Sequence, residues 1–189
     1  MRIVILANGA CPSRQVLRRY LQAGDRLMCA DGGARHALAL GVQPHIVIGD
    51  LDSLDESTQA SLKAQGAQFH VYPAAKDETD LELALLLAAQ SSADEIVVLG
   101  GFGGRLDQTI ANVLLLTLPQ LDRIPTRLAD GEQEAFIVRS QAAIAGRPGD
   151  ILSLIPLGGD AEGVTTDGLL YPLHEETLRF GPARGVSNM

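Results

Sequence analysis

The chain is poor in the features that mark several large classes of protein. Of its 189 residues, only 4% are aromatic and none is tryptophan. Its two cysteines, Cys11 and Cys29, are too few for a disulfide framework and lack the spacing of a metal site, so both fit a reducing compartment. Lysine and arginine number 15 against 23 acidic residues, a net charge of −8. That balance argues against sequence-independent nucleic-acid binding, which depends on cations that neutralise phosphates.

Long apolar segments are also missing. The longest unbroken apolar run, residues 83–89, is far shorter than the roughly 20 residues needed to cross a bilayer. The apolar segment after Arg2 ends at Asn8, which is too short for a signal-peptide core and predicts a first β-strand instead. We therefore expect a soluble, cytoplasmic protein with no membrane partner.

Up to about residue 120, short apolar runs alternate with helical patterns. The runs predict strands at residues 3–6, 26–30, 46–48, 69–72 and 96–99. Helix starts are indicated by Ser13, by capping boxes at Ser53 and Thr79, and by the segment after Arg105. Alternation of strand and helix with short connections predicts an α/β domain, residues 1–121, with a parallel sheet covered on both faces.

The pattern changes from about Asp122, where helical periodicity disappears. Short apolar runs at residues 134–138, 151–155, 168–171 and 177–180 are separated by glycine, proline and aspartate. Asp130-Gly131 and Gly158-Gly159 are typical of hairpin turns. Residues 122–189 are therefore predicted to form a small, mostly antiparallel β domain.

Aspartates occupy the loops that follow the predicted strands. Carboxyl ends of parallel strands meet at one edge of a sheet, where ligands bind, so these carboxylates are expected to converge. Gathered like charges repel unless a cation lies between them. Asp50 and Asp52 are two apart in extended backbone and can offer oxygens to one hard cation. A surface turn with a helix cap explains that pair equally well. The charged segment 76–80 alone is more typical of a solvated loop. Asp80, however, falls in the first turn of the next helix, at the same edge as Asp50, and this position favours a functional role.

A glycine-rich loop, residues 100–104, follows the fifth predicted strand and precedes Arg105. It is neither a P-loop, because no Gly-Lys-Ser/Thr follows, nor a dinucleotide fingerprint. Glycines nevertheless let backbone N–H groups approach a phosphate, and the next helix offers its positive end. Because Arg105 can bind phosphoryl oxygens with two donors, we expect this loop to contact phosphate. The chain has neither a Gly-x-Ser-x-Gly elbow nor a plausible Cys–His pair, so covalent hydrolase chemistry is not expected.

Taken in order, these motifs resemble those of thiamine pyrophosphokinases. The matching segments are residues 30–34, 48–53, 76–82, 103–108, 166–173 and 185–188, which span nearly the whole chain. The resemblance implies a Rossmann-like catalytic domain, a C-terminal β-sandwich-like domain that binds thiamine, and a homodimer with active sites between subunits. It also implies the reaction, in which ATP and thiamine give thiamine diphosphate and AMP.

The motif positions, read with this resemblance, assign the site residues. A magnesium ion is expected at Asp50, Asp52 and Asp80. The catalytic set is Asp52, Asp80, Arg105 and Asp107, and ATP is expected at Asn8, Asp31, Gly32, Gly33, Lys76, Gly103, Gly104 and Gln108. Ser187 and Asn188 match the thiamine-side signature.

The chain departs from the family pattern in two respects. The family usually continues past Ser-Asn with a closing β-segment, whereas this sequence stops at Met189, so the β domain is expected to be truncated. Without tryptophan, stacking on the thiamine rings falls to Phe180 or Tyr171. Two alternatives stay open: a diphosphokinase for another heterocyclic alcohol such as a hydroxymethylpterin, and a non-catalytic nucleotide-sensing domain. The Ser-Asn tail favours thiamine over a pterin, and the complete carboxylate set favours catalysis over sensing.

Overall fold

A seven-stranded sheet with the order β4-β3-β2-β1-β5-β6-β7 is the framework of the N-terminal part of the molecule. The computed structural model describes residues 1–189. Strands β1 to β6 run parallel, and β7 is added antiparallel at one edge. The strands are β1 Arg2–Leu6, β2 Arg26–Ala30, β3 Ile46–Gly49, β4 Gln68–Val71, β5 Glu95–Leu99, β6 Thr126–Ala129 and β7 Glu134–Phe136.

Helices cover both faces of this sheet, as the buried, almost wholly apolar central strands require. They are α1 Arg14–Tyr20, α2 Gly33–Leu40, α3 Glu56–Ala64, α4 Asp80–Gln90 and α5 Leu106–Leu115, followed by a 3₁₀ turn at Pro119–Leu121. Side chains of α1, α2 and α3 pack with one set of strand residues, and those of α4 and α5 pack with the other. The prediction of an α/β fold is thereby confirmed.

Two helix starts follow local side-chain chemistry as predicted, and two others differ from the prediction. Ser13 and Thr79 are N-caps, and each accepts a hydrogen bond from a backbone N–H three residues later. Asp55 rather than Ser53 caps α3, because its carboxylate accepts the Thr58 N–H at 2.8 Å. Helix α2, which the sequence did not predict, begins at Gly33 without a side-chain cap.

The direction of the winding reverses beside β1. Successive strands β1, β2, β3 and β4 run towards one edge, and the chain then returns to place β5 on the other side of β1. Loops after β1 and β5 therefore flank the topological switch point, where open α/β sheets bind ligands.

The chain divides into two compact units, Met1–Arg139 and Ser140–Met189. The first unit extends beyond the predicted boundary at residue 121, because β6 and β7 continue the seven-stranded sheet instead of starting a new domain. The run at residues 134–138, predicted to lie in the β domain, thus supplies β7. No helix of the structure combines the length and apolar character required to cross a membrane.

The second unit contains a small antiparallel sheet of β8, Ala161–Val164, and β9, Glu176–Leu178. The predicted runs at 151–155 and 168–171 do not become strands, and only an isolated bridge joins Leu152 to Asn188. Leu154 N–H also donates to Gly185 O at 2.8 Å, but Ile151 and Ile155 stay 71% and 67% exposed. Apolar character therefore predicted strands at these two segments, but neither segment forms a regular strand in the structure.

Candidate active site

Three aspartates meet at the carboxyl edge of the sheet. Asp31 follows β2, while Asp50 and Asp52 follow β3. Each offers a carboxylate oxygen, and the three oxygens lie within 4.8 Å of one another. Oδ1 of Asp31 is buried and receives no hydrogen bond from the protein. An unpartnered carboxylate oxygen beside two further carboxylates is a set of ligands suited to a hard divalent cation.

Backbone geometry shapes both loops of this acidic cluster, which comprises Asp31, Asp50 and Asp52. Asp31 has φ 40° and Leu51 has φ 65°, in the left-handed region that few non-glycine residues adopt. The Leu51 side chain is only 6% exposed and packs in the core between the sheet and α1 to α3. The Asp52 N–H donates to Asp50 Oδ1 at 3.2 Å. Leu51 thus anchors the turn that presents both carboxylates, a role without a signal in the sequence.

The electrostatics of the cluster favour a bound cation. The pKa of Asp52, which is exposed, is raised above its ordinary value, chiefly by the charge of Asp50 and next by that of Asp31. A carboxyl group whose ionised form is disfavoured by its neighbours gains the most when positive charge arrives. The arrangement therefore fits magnesium, which prefers carboxylate oxygens and retains several waters.

Asp80 lies beside the cluster but pairs with Lys76. Its Oδ1 is 3.0 Å from Lys76 Nζ, and both side chains are mostly buried. A Cβ on Gly49 would lie 3.1 Å from Asp80 Oδ1 and 3.1 Å from Asp31 Cβ. The backbone of Gly49 therefore lies close to both of these aspartates. The structure therefore groups Asp31 with Asp50 and Asp52, whereas the sequence grouped Asp80 with them. Asp80 nevertheless stays near the cluster, because its charge adds to those that raise the pKa of Asp52 and its Oδ1 is buried without a hydrogen bond from the protein.

The loop after β1 is joined to the glycine-rich loop after β5. The N–H of Gly9 donates to Gly100 O at 2.9 Å, and the N–H of Ala10 donates to Phe102 O at 3.1 Å. Gly100, Gly103 and Gly104 have φ of 72°, 82° and 73°. Because these backbones lie in contact at the switch point, a side chain at Gly100 would collide with Ala7 O.

Glycines also bring Asn8 to the Asp31 loop. A Cβ on Gly32 would lie 2.1 Å from Asn8 Oδ1, and one on Gly33 would lie 1.9 Å from Leu6 O. A side chain at Gly33 would therefore require backbone movement, whereas one at Gly32 would require the Asn8 side chain to move. Asn8 is exposed at this junction.

Arg105 and Asp107 lie at the start of α5, where both are exposed and hydrogen-bonded to each other. That pairing lowers the pKa of Asp107 and raises the pKa of Arg105. Gln108 is exposed beside them. The side-chain hydrogen bonds of Arg105 and Asp107 are to each other and not to the acidic cluster, and their catalytic role stays a prediction.

Ser187 and Asn188 belong to the second unit and differ in role. Asn188 is buried; its amide donates to Tyr171 O at 2.7 Å and its Oδ1 accepts the Tyr171 N–H at 3.0 Å. Its side chain is therefore engaged in holding the 171 segment. Ser187 is exposed with φ 61°, and Tyr171 and Phe180 are 63% and 60% exposed.

Two family models match the chain in adjoining segments. One, described as "Thiamin pyrophosphokinase, catalytic domain", matches residues 17–128. The other, described as "Thiamin pyrophosphokinase, vitamin B1 binding domain", matches residues 138–189. The second match begins within two residues of the division of the structure after Arg139.

Similar sequences and structures carry the same family name. A thiamine pyrophosphokinase of Bacillus subtilis is 31% identical over 160 residues, covering 84% of this chain and 75% of that protein. Thiamine pyrophosphokinase 2 of Oryza sativa subsp. japonica is 27% identical, covering 98% and 78%. Among crystal structures, the Bacillus subtilis enzyme superposes with a TM-score of 0.85 at 29% identity, covering 100% of this chain and 89% of that one. The thiamin pyrophosphokinase of Geobacillus thermodenitrificans gives 0.80 at 30% identity, covering 100% and 87%.

Proposed function

The chain belongs to the thiamin pyrophosphokinase family, and we propose that its acidic cluster binds magnesium and the phosphates of ATP in the reaction of that family. That reaction transfers the diphosphate group of ATP to the hydroxyl of thiamine and releases AMP. The observation that carries the site assignment is the convergence of Asp31, Asp50 and Asp52 within 4.8 Å at the carboxyl edge of the sheet. The comparisons support neither a pterin diphosphokinase nor a nucleotide-sensing domain.

Magnesium would be held by Asp31, Asp50 and Asp52, with Asp80 next to them. When bound, the ion would neutralise phosphate charge as it develops in the transition state. The buried and unpartnered Oδ1 of Asp31 supports its inclusion, since such an oxygen otherwise loses its hydration without compensation. The Lys76 ammonium, which lies 3.0 Å from Asp80 Oδ1, could contact a phosphate oxygen of ATP in place of Asp80.

The remaining chemistry is positioning. The thiamine hydroxyl oxygen forms a bond to the β-phosphorus, the bond to the α,β-bridging oxygen breaks, and AMP leaves with that electron pair. The hydroxyl proton passes to water or to a neighbouring carboxylate. Gly103 and Gly104 have no side chains that would keep the phosphates away from the backbone after β5. The exposed Arg105 side chain, which now pairs with Asp107, could bind a phosphoryl oxygen instead.

The direct test is to incubate the full chain with MgATP and thiamine and to quantify both products. Thiamine diphosphate and AMP are expected in equal amounts, and chelation of the metal is expected to abolish both. Formation of ADP would mean transfer of a single phosphoryl group and would contradict the assignment, as would the absence of any product.

We infer a cytoplasmic homodimer in which residues of two chains complete each active site. Free thiols at Cys11 and Cys29 fit a reducing compartment. The second unit has fewer than about 70 residues and exposes large apolar side chains, so it needs a covering partner. The exposed set is Ile151, Ile155, Leu170, Tyr171 and Phe180. A second copy of the chain is the simplest cover.

Mixed dimers test this arrangement. An Asp52→Asn chain lacks one working carboxylate, and a chain with Ser187 and Asn188 replaced by alanine lacks the thiamine side. If the two halves of each site come from different chains, mixing the two inactive variants restores up to one working site per dimer. Full activity of a chain that stays monomeric at micromolar concentration would rule the arrangement out.

A further inference from the structure

Asn112 is one of only two buried polar side chains in the chain, the other being Asn188 in the second unit. It lies in the interior of α5, between the apolar residues Ala111 and Val113. Asparagine favours caps and turns over helix interiors, and a buried amide costs free energy unless it is hydrogen-bonded. A buried asparagine at this position therefore indicates a specific hydrogen-bond partner.

That partner is Gly101 in the glycine-rich loop after β5. Asn112 Nδ2 donates to Gly101 O at 2.8 Å, in a buried hydrogen bond. Gly101 is buried as well, and a Cβ there would lie 3.0 Å from Cδ2 of Leu128, a fully buried residue of β6. A buried carbonyl oxygen without a donor is costly. The Asn112 amide therefore stabilises the buried start of the loop from the side of α5.

Three consecutive carbonyl groups of the loop are held from two sides. Gly100 O and Phe102 O accept the N–H groups of Gly9 and Ala10, in the loop after β1. Gly101 O, which lies between them in sequence, accepts its hydrogen bond from α5 instead. In a planar trans peptide the C=O and the following N–H point in opposite directions. Fixing the Gly101 carbonyl on α5 therefore turns the Phe102 N–H away from that helix.

The N–H groups that follow are left unpaired by the protein. Those of residues 102–104 donate to no acceptor of the chain, and Gly103 and Gly104 are exposed. Successive free N–H groups in a turn form a concave site for an anion such as a phosphate. Without the Asn112 donor, the peptide between Gly101 and Phe102 could rotate more freely, since glycine restricts its backbone little. The direction of these donors therefore depends on one buried amide.

We propose that Asn112 is a positioning residue for diphosphate transfer, because its amide keeps the N–H groups of residues 102–104 directed at the phosphates of ATP. The inference rests on the proposed function, which supplies these phosphates. Asn112 is only 9% exposed, so it acts through the Gly101 carbonyl and not on the substrate. Neither the sequence motifs nor the acidic cluster assigned it a role.

Two substitutions at this position separate the donor from the shape of the side chain. Asn112→Leu keeps a side chain branched at Cγ but has no donor, whereas Asn112→Gln keeps the amide on a chain one methylene longer. A hydrogen bond to a charged group accounts for about tenfold in affinity. Asn112→Leu is therefore expected to weaken binding of magnesium tripolyphosphate to the full chain about tenfold, as measured by calorimetry. Asn112→Gln is expected to retain more of this affinity, and the Kd for thiamine is expected to stay unchanged in both.

Steady-state kinetics give a second readout. A small displacement of positioning groups costs on the order of tenfold or more in rate. Asn112→Leu is therefore expected to lower kcat about tenfold and to raise KM for ATP, while KM for thiamine stays unchanged. A residue that only stabilised the fold would affect neither KM selectively.

Ser91→Ala is the matched control. Ser91 Oγ donates to Leu87 O at 2.8 Å at the C-terminal end of α4, so this variant also removes a side-chain hydrogen bond to a carbonyl. That end of α4 lies opposite to the edge where the glycine-rich loop emerges. Thermal unfolding is expected to show losses of stability for both Ser91→Ala and Asn112→Leu. Tripolyphosphate affinity and kcat are expected to fall in Asn112→Leu alone.

The outcomes separate the role of Asn112 from the reaction. Unchanged tripolyphosphate affinity in Asn112→Leu, equal losses in the Leu and Gln variants, or no binding by the wild-type chain overturns the proposal. If that happens while the wild-type chain forms thiamine diphosphate and AMP, the assignment of Asn112 fails and the proposed function stands. A selective loss of tripolyphosphate affinity in a chain that forms neither product supports the positioning role and overturns the function.

Discussion

Gly49, the last residue of β3, offers the sharpest test of the site geometry. Its φ of 145° lies in the region that favours glycine. A Cβ there would lie 3.1 Å from Asp80 Oδ1 and 3.1 Å from Asp31 Cβ. Gly49→Ala therefore imposes a backbone penalty and at the same time pushes two carboxylates apart.

The two effects have different sizes and different readouts. The unfavourable φ is expected to lower the free energy of unfolding by about 1–3 kcal/mol. Contact distances near 3.1 Å fall short of the roughly 3.5–4.0 Å optimum for carbon atoms, so the carboxylates must retreat by about half an ångström. Since a displacement of about 1 Å can cost 10²-fold in rate, we expect turnover to fall about tenfold.

Gly66→Ala is the matched control. Gly66 follows α3 with φ 95°, and no atom lies within 4 Å of its added Cβ. It carries a comparable backbone penalty without moving a carboxylate. Urea unfolding should show similar losses of stability for both variants, while steady-state kinetics with MgATP and thiamine should show a loss of turnover for Gly49→Ala alone.

The reasoning fails if Gly49→Ala keeps the turnover of Gly66→Ala at equal stability. Asp31 and Asp80 would then tolerate a displacement that a site assembled at this spacing should not. Equal losses of turnover in both variants would refute it as well, because the effect would come from stability and not from carboxylate position.

Two further predictions concern single carboxylates. Asp52→Asn is expected to reduce turnover roughly 10²-fold in initial-rate assays at limiting Mg²⁺. The fold is expected to survive, because the substitution removes one of three mutually repelling charges. A near-normal rate would show that Asp52 is not part of the site. Asp55, hydrogen-bonded by Ser57 and Thr58, has its pKa lowered from 3.8 to about 2, so the folded chain binds fewer protons than the unfolded chain between these values. Its stabilisation is therefore present above pH 3.8 and lost as the pH falls through about 2, and urea unfolding of Asp55→Ala at pH 2–6 should lack this contribution.

The sequence predicts the elements that depend on local pattern and misses those that depend on partners. Strands β1 to β5 follow from short apolar runs, and the caps at Ser13 and Thr79 from residue type. Helix α2 begins at consecutive glycines that indicate a turn, so its start has no local signal. The runs at 151–155 and 168–171 look like strands, yet a strand requires a neighbour that a pattern cannot reveal.

The same limit applies to the site. Parallel strand ends predict that aspartates converge, and the structure brings Asp31, Asp50 and Asp52 together. Asp80 lies next to this cluster and pairs with Lys76, a contact that depends on the path of the loop before α4. Leu51 gave no signal because its role comes from a left-handed backbone and burial, neither of which is visible in residue type.

If the acidic cluster binds a metal ion as proposed, the anchoring of Leu51 has a consequence for the speed of its capture. A loop whose central side chain is already buried does not have to become ordered when an ion arrives. The step that then limits capture is the release of water from the ion itself, which magnesium undergoes reluctantly. Larger divalent ions that exchange water faster would accordingly enter the same carboxylates sooner, even where magnesium is the ion that supports the reaction.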